Sequence, residues 1–225
     1  MRRAGSKSWR LSTSKNPAAN FCLYIRDAFG LDLIGSDIPP PLSGDVPLIE
    51  LESLAADQLD LALAWHMWWR RLIRVVGAAQ LGRGLDSLSR EDYRRAHLEA
   101  HQSIFDPLED FESLREYPAL RSAAQRSWPQ GYEWSKTHAS PRFGPSSTGH
   151  RSPTPKMVAE RVIEERHVSP ERVKAAVIVL EVEGKWCHLA TPGTLLCSEE
   201  LFFDDASFSQ ELKITFESGL ADETN

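Results

Sequence analysis

Two histidines, His97 and His101, have the spacing of a metal site. Residues four apart lie on the same face of an α-helix, where two imidazoles can bind one zinc ion. Glu99 does not directly follow the first histidine, so the HExxH motif of metalloproteases is absent. The alternative interpretation is a pair of exposed histidines on a charged helix. Candidate third ligands elsewhere in the chain are His66, His138 and Asp106.

A cysteine and a histidine near the end of the chain form a second candidate site. Pro192 and Gly193 predict a tight turn between two strands. If the hairpin is centred on that turn, His188 lies opposite Cys197 on one face of the sheet, and Cys187 points to the other face. A histidine beside a cysteine can activate the thiolate as a nucleophile. The alternative is an ordinary half-buried structural cysteine. The same register disfavours a disulfide between the two cysteines.

A glycine-containing segment at 144–151 imitates a phosphate-binding loop but lacks its chemistry. The second glycine is followed by His150 and Arg151 instead of a lysine and a hydroxyl residue. No apolar strand precedes the segment, so nothing holds its backbone amides around a phosphate. We therefore predict no cofactor.

A long amphipathic run from Glu50 to Gly77 is expected to organise the front of the chain. Its apolar residues recur at helical spacing, which predicts an α-helix with one buried face. Trp65 and Trp69 are four residues apart on that face and stack one turn above the other. The opposite face carries three arginines: Arg70, Arg71 and Arg74.

The remaining elements predict an α+β fold of two domains. Residues 21–134 have helical periodicity and short loops, and we expect a bundle-like helical domain. Residues 157–220 predict a small domain in which 177–182, 186–190 and 195–198 form a three-stranded antiparallel sheet. Flanking helices, one of them over 205–219, would cover this sheet.

Two basic segments mark the expected boundaries of these domains. Residues 1–20 carry five Lys or Arg and no acid, and residues 135–156 carry four and none. The first predicts a disordered basic tail, with an organelle transit peptide as the alternative. The second is rich in Pro, Ser and Gly and predicts a flexible linker.

Composition limits the class of protein and its surroundings. Three cysteines are an odd, scattered set, which predicts a reducing, cytoplasmic protein. The net charge of −6 argues against nucleic acid as the main partner. No apolar run approaches the ~20 residues of a membrane span.

No motif in the chain specifies a reaction. We therefore predict a non-catalytic protein-interaction or regulatory module with an unidentified protein partner. The alternative is an enzyme that uses Cys197 with His188, or a metal held by His97 and His101. A deep polar pocket around either pair would favour the enzyme, and a flat surface there would favour the binding module.

Overall fold

The computed structural model describes residues 8–31, 33–50, 57–82, 111–138 and 154–222. The predicted metal ligands His97 and His101 lie outside these ranges, and so does most of the predicted linker 135–156. Within the described residues the chain forms six helices and a four-stranded sheet. The strands are β1 (Arg10–Lys15), β2 (Lys174–Leu180), β3 (Cys187–Thr191) and β4 (Thr194–Ser198). The helices are α1 (Pro17–Ala28), α2 (Gln58–Leu81), α3 (Pro118–Thr137), α4 (Thr154–Arg166), α5 (Glu199–Phe202) and α6 (Asp205–Asp222).

Local sequence signals set the ends of the first two helices. Asn16 caps α1, since its side-chain oxygen accepts a hydrogen bond of 3.0 Å from the amide of Ala19. Pro17 then occupies the first turn, where its missing N–H costs nothing. Asp57 caps α2 in the same way, and α2 ends at Gly82, whose φ of 68° is the left-handed conformation that glycine adopts readily.

The sheet has the strand order β1-β2-β4-β3, and most of its pairs are parallel. β1 pairs with β2 and β2 pairs with β4 in parallel, whereas β3 and β4 form an antiparallel hairpin. The predicted antiparallel three-stranded sheet is therefore correct for the β3–β4 hairpin and wrong for β2, which pairs with β4 in parallel. β4 lies between β2 and β3, and β3 is therefore an edge strand of the sheet.

Helices cover both faces of this sheet. Ile178 and Leu196 point to the face covered by α1, α2 and α3, and they belong to the larger hydrophobic core. Val177 and Cys197 point to the other face, where a second core is formed with α4 and α6. Gly77 brings α2 close to the sheet, because a Cβ atom at that position would lie 2.8 Å from the Thr194 side chain.

The sheet pairs a strand from the first part of the chain, β1, with strands from the last part of the chain. Residues 10–20, predicted to be part of a disordered tail, form β1 and the start of α1, and β1 pairs with β2 in register Arg10 to Lys174. Because residues 178–182 share a core with α1 and α2, the separation into a helical domain and a sheet domain is not confirmed.

An ion cluster fixes the carboxyl ends of three strands. The Nζ atom of Lys15, at the end of β1, lies 2.7 Å from Glu181 Oε1 after β2 and 3.2 Å from Glu199 Oε2 after β4. The three side chains are only 16%, 8% and 20% exposed. Because the carboxyl ends of parallel strands meet at one edge, residues from distant parts of the chain are brought together there.

The tryptophan-bearing helix is confirmed. The rings of Trp65 and Trp69 stack at 5.9 Å with an interplanar angle of 7°, and both are buried. The indole N–H of Trp65 donates to the carbonyl of Cys22 on α1. No helix within the described ranges is long and apolar enough to cross a membrane.

Candidate functional site

A polar pocket of about 380 Å³ lies between α2, the loop after α1 and the β3-β4 hairpin. We call it the Asp37 pocket. It brings together one carboxylate, two guanidinium groups and two imidazoles. Its lining consists of Ser36, Asp37, His66, Trp69, Arg70, Ile73, Arg74, His188, Ala190, Thr191 and Leu196.

One wall of the pocket is a single face of α2. His66, Arg70 and Arg74 follow one another at intervals of four residues, so their side chains lie one above the other. Trp69 and Ile73 are buried beneath them and fix the position of the helix on the core. The sequence therefore places one imidazole and two guanidinium groups on the same wall.

Asp37 is positioned by contacts on both sides of the turn that carries it. Its backbone carbonyl accepts a hydrogen bond of 3.1 Å from the Trp69 indole. Downstream, the Arg26 guanidinium donates to the carbonyls of Pro39 and Pro40, at 2.5 and 2.8 Å. The proline segment thus braces the fold of its own chain by its carbonyl groups.

The Asp37 carboxylate is held by one imidazole and one guanidinium. Its Oδ2 atom lies 3.0 Å from His66 Nε2 and 3.5 Å from Arg70 Nε. Burial alone raises the pKa of Asp37. The hydrogen bond from His66, a backbone hydrogen bond and the charges of His66 and Arg70 outweigh that effect, and the pKa is lowered. Asp37 is therefore ionised at neutral pH and orients the His66 ring.

His188 reaches the pocket because the hairpin contains a bulge. Thr191 pairs with Thr194 across the two-residue turn, but Leu189 pairs with Leu195, which leaves Ala190 as an extra residue. The remaining pairs of β3 are shifted by one position. His188 consequently lies opposite Leu196 and faces α2.

This register contradicts the predicted pairing of His188 with Cys197. The turn was predicted correctly, but the bulge places Cys187 opposite Cys197 and puts His188 on the other face. Both thiols are free. Burial raises the pKa of Cys187 to about 11 and raises the pKa of Cys197 further. Neither cysteine has the environment of an activated nucleophile.

The pKa of His188 is lowered, which favours the neutral form of its imidazole. Partial burial lowers it; the negative charge of Asp37 raises it, and the positive charge of Arg70 lowers it further. His188 is therefore a neutral imidazole at pH 7, able to donate one hydrogen bond and accept another. Its ring stacks on Trp186, with ring centres 6.2 Å apart.

The described residues contain no group of three or more His, Cys, Asp or Glu that could hold a metal ion. His138, one of the predicted third ligands, stacks on Trp134 at the end of α3 instead. The predicted His97 and His101 pair lies outside the described ranges and stays a prediction.

Sequence reasoning identified His66 and His188 but assigned each to a different site. It did not identify Asp37 or the role of the arginines. The helical spacing of His66, Arg70 and Arg74 was a usable signal, since it predicts a shared face. Asp37 gave no signal, because its position depends on a turn whose contacts come from other elements.

No family model, curated protein or solved structure that was compared with the chain matches it significantly. The functional argument therefore depends on the geometry of the pocket.

Proposed function

We propose that the protein is a non-catalytic regulatory module that binds a small anionic group in the Asp37 pocket. The observation that supports this is the balance of charge on the lining. Arg70, Arg74 and two histidines face a single carboxylate. That carboxylate is already bound by His66 and Arg70. The pocket is left with an excess of positive charge and hydrogen-bond donors.

Arg74 is the side chain with the greatest capacity to bind a ligand. Among the described residues it makes no ion pair, whereas the neighbouring Arg70 shares Asp37 with His66. A guanidinium offers two parallel donors to a carboxylate or a phosphate. Thr191 and the neutral His188 add uncharged donors on the opposite wall.

The size of the pocket limits the class of ligand. A volume of about 380 Å³ lies near the lower end of small-molecule sites. It can hold a phosphate ester, a dicarboxylate or one acidic side chain of a protein partner. All three present the same chemistry, a compact anion, to the arginines.

Isothermal titration calorimetry tests this proposal with inorganic phosphate, citrate and adenosine monophosphate as probes. We expect at least one of them to bind, and Arg74→Gln to weaken its binding about tenfold or more, since a charged hydrogen bond is lost. Arg161→Gln is the matched control, because Arg161 is exposed on α4, on the other side of the sheet. Equal binding by both variants, or no binding of any probe, would contradict the proposal.

A second candidate function is acid–base catalysis on an anionic substrate. It is favoured by one observation: the pocket contains a neutral imidazole, His188, and a second imidazole held by a carboxylate, His66. The first can accept a proton and the second can donate one, with the arginines stabilising negative charge. This keeps the enzyme alternative but replaces the predicted cysteine nucleophile by a pair of histidines.

Activity separates the two candidates. Bis(4-nitrophenyl) phosphate and 4-nitrophenyl phosphate are suitable substrates, because release of nitrophenolate is visible. Turnover that is lost in both His66→Ala and His188→Ala would support catalysis. Binding of an anion without turnover in the intact protein would support the regulatory module.

A further inference from the structure

The exposed face of α2 is apolar in its first half and basic in its second. Leu59, Leu63 and Met67 follow one another at intervals of four residues, and 64%, 52% and 57% of their surfaces are exposed. A surface helix normally turns polar residues outward, so three successive apolar ones mark a contact surface. The exposed arginines that follow on this helix are Arg70, Arg71 and Arg74.

The two borders of this face differ in charge. At 100° per residue, Leu63 and Met67 lie on either side of its centre. Asp60 and Arg71 lie along one border, with the acid in the first turn of α2 and the base near the middle of the helix. When the same border of a second copy runs in the opposite direction, its base meets this acid and its acid meets this base.

We propose that a second copy of this chain docks on this face, with the two α2 helices antiparallel about a two-fold axis level with residue 65. A two-fold axis across the helices brings together positions that are about equally far from it on the same border. Leu63 is two positions before the axis and meets Met67, two positions after it. Asp60 is five positions before it and meets Arg71, six positions after it.

The third pair along the face also fits this arrangement. Leu59, six positions before the axis, lies against the aliphatic part of Arg70, five positions after it, on the other border. A parallel pair would instead place this border against the opposite border of the second copy, so Asp60 and Arg71 would not meet. The ion pairs between Asp60 and Arg71 therefore favour the antiparallel orientation.

The contact is small, because each copy contributes one helix face. Interfaces below about 1,200 Å² belong to weak and reversible complexes. We expect a dimer with a dissociation constant of about 10–100 µM. Arg70 belongs both to this contact and to the Asp37 pocket, whereas Asp60, Leu63, Met67 and Arg71 do not line the pocket, so substitutions at these four positions leave the pocket lining unchanged.

Sedimentation equilibrium of the full chain between about 1 and 200 µM tests the proposal over the expected range. We expect a reversible monomer–dimer equilibrium. Asp60→Arg and Arg71→Asp should each weaken it about tenfold, since the two-fold axis makes every ion pair twice and each variant turns attraction into repulsion. The double variant Asp60→Arg/Arg71→Asp should return the affinity to that of the natural sequence.

Two further variants keep the result interpretable. Met67→Glu places a charge at the centre of the contact and should abolish the dimer. Ile214→Glu is the control, because Ile214 is 44% exposed on α6 and lies outside the proposed contact. Circular dichroism checks that all variants are folded. A monomer at every concentration, a dimer unaffected by the single charge reversals, or a double variant as weak as the single ones would overturn the proposal.

Discussion

Replacing Lys15 by methionine should destabilise the whole fold, although this residue lies in a segment whose composition is that of a disordered tail. In the structure, Lys15 forms ion pairs with both Glu181 and Glu199 at the carboxyl ends of three strands. Methionine keeps much of the apolar stem and removes the charge. Two carboxylates that are 8% and 20% exposed then lie close together without a cation between them.

The magnitude follows from the burial of these groups. Removing one member of a fully buried ion pair costs about 3–5 kcal/mol. Some solvent reaches Glu199, and screening there reduces the loss, so we expect about 2–3 kcal/mol for Lys15→Met. With a denaturant slope near ~2 kcal/mol per molar urea, the midpoint of unfolding should fall by about 1 M.

Urea unfolding, followed by tryptophan fluorescence and by far-ultraviolet circular dichroism, measures this loss. The matched control is Lys213→Met, which removes an equally short ion pair of 2.6 Å to Glu165. That pair is 34% and 45% exposed, so solvent screens it and its loss should lower the urea midpoint far less than Lys15→Met does. A second variant, Lys15→Met/Glu181→Gln, should recover part of the stability, because it removes one of the two neighbouring carboxylate charges. If the Lys15 and Lys213 variants unfold at the same urea concentration, the ion cluster does not hold β1 in the sheet and the reasoning is refuted.

Three other predictions concern the core and the pocket. Trp65→Ala removes a fully buried ring and its hydrogen bond to α1 and should cost about 3–5 kcal/mol in thermal unfolding. Met157→Ala, at a residue 59% exposed, should change stability by less than about 0.5 kcal/mol, and equal losses would contradict the core assignment. The pKa of His188 is lower in the folded protein than in the unfolded chain, so the unfolded chain binds a proton more readily. The free energy of unfolding therefore decreases as pH falls below the ordinary histidine pKa of 6.5. The melting temperature of the natural protein should therefore fall more between pH 7.5 and 5.5 than that of His188→Gln, and parallel curves would show that His188 is not buried as described. Iodoacetamide should label Cys187 and Cys197 slowly at pH 7 and rapidly after unfolding, because burial raises the pKa of both thiols. Rapid labelling of either one in the folded protein at pH 6 would restore the nucleophile hypothesis.

Elements with strong local signals could be predicted from the sequence. The stacked pair Trp65 and Trp69 and the Pro192-Gly193 turn are encoded by residues close to one another in the chain. The helix α6 follows for the same reason. Helix periodicity and turn chemistry act over a few residues, and no distant partner is needed to form them.

The strand β1 could not be predicted in this way. Its six residues, Arg10–Lys15, are polar or basic except for Leu11, and β1 pairs with β2, more than 150 positions later. The direction of β2 did leave a signal. Residues 175–180 are an unbroken apolar run, which is typical of a strand buried on both faces in a parallel sheet. An alternating pattern would be expected if one face were open to water.

The candidate site shows how one inserted residue decides which chemistry is available. Without Ala190 as the extra residue, the Thr191–Thr194 pair would continue regularly and His188 would lie opposite Cys197, beneath α4 and α6. The bulge rotates the rest of β3 by one position, which moves His188 to the α2 face beside Asp37 and His66. Cys197 is left in an apolar core, where its thiol is stabilised in the protonated form. The same shift that removes a cysteine–histidine pair therefore creates a pocket with two histidines, and a bulge of this kind is not visible in the alternation of the sequence.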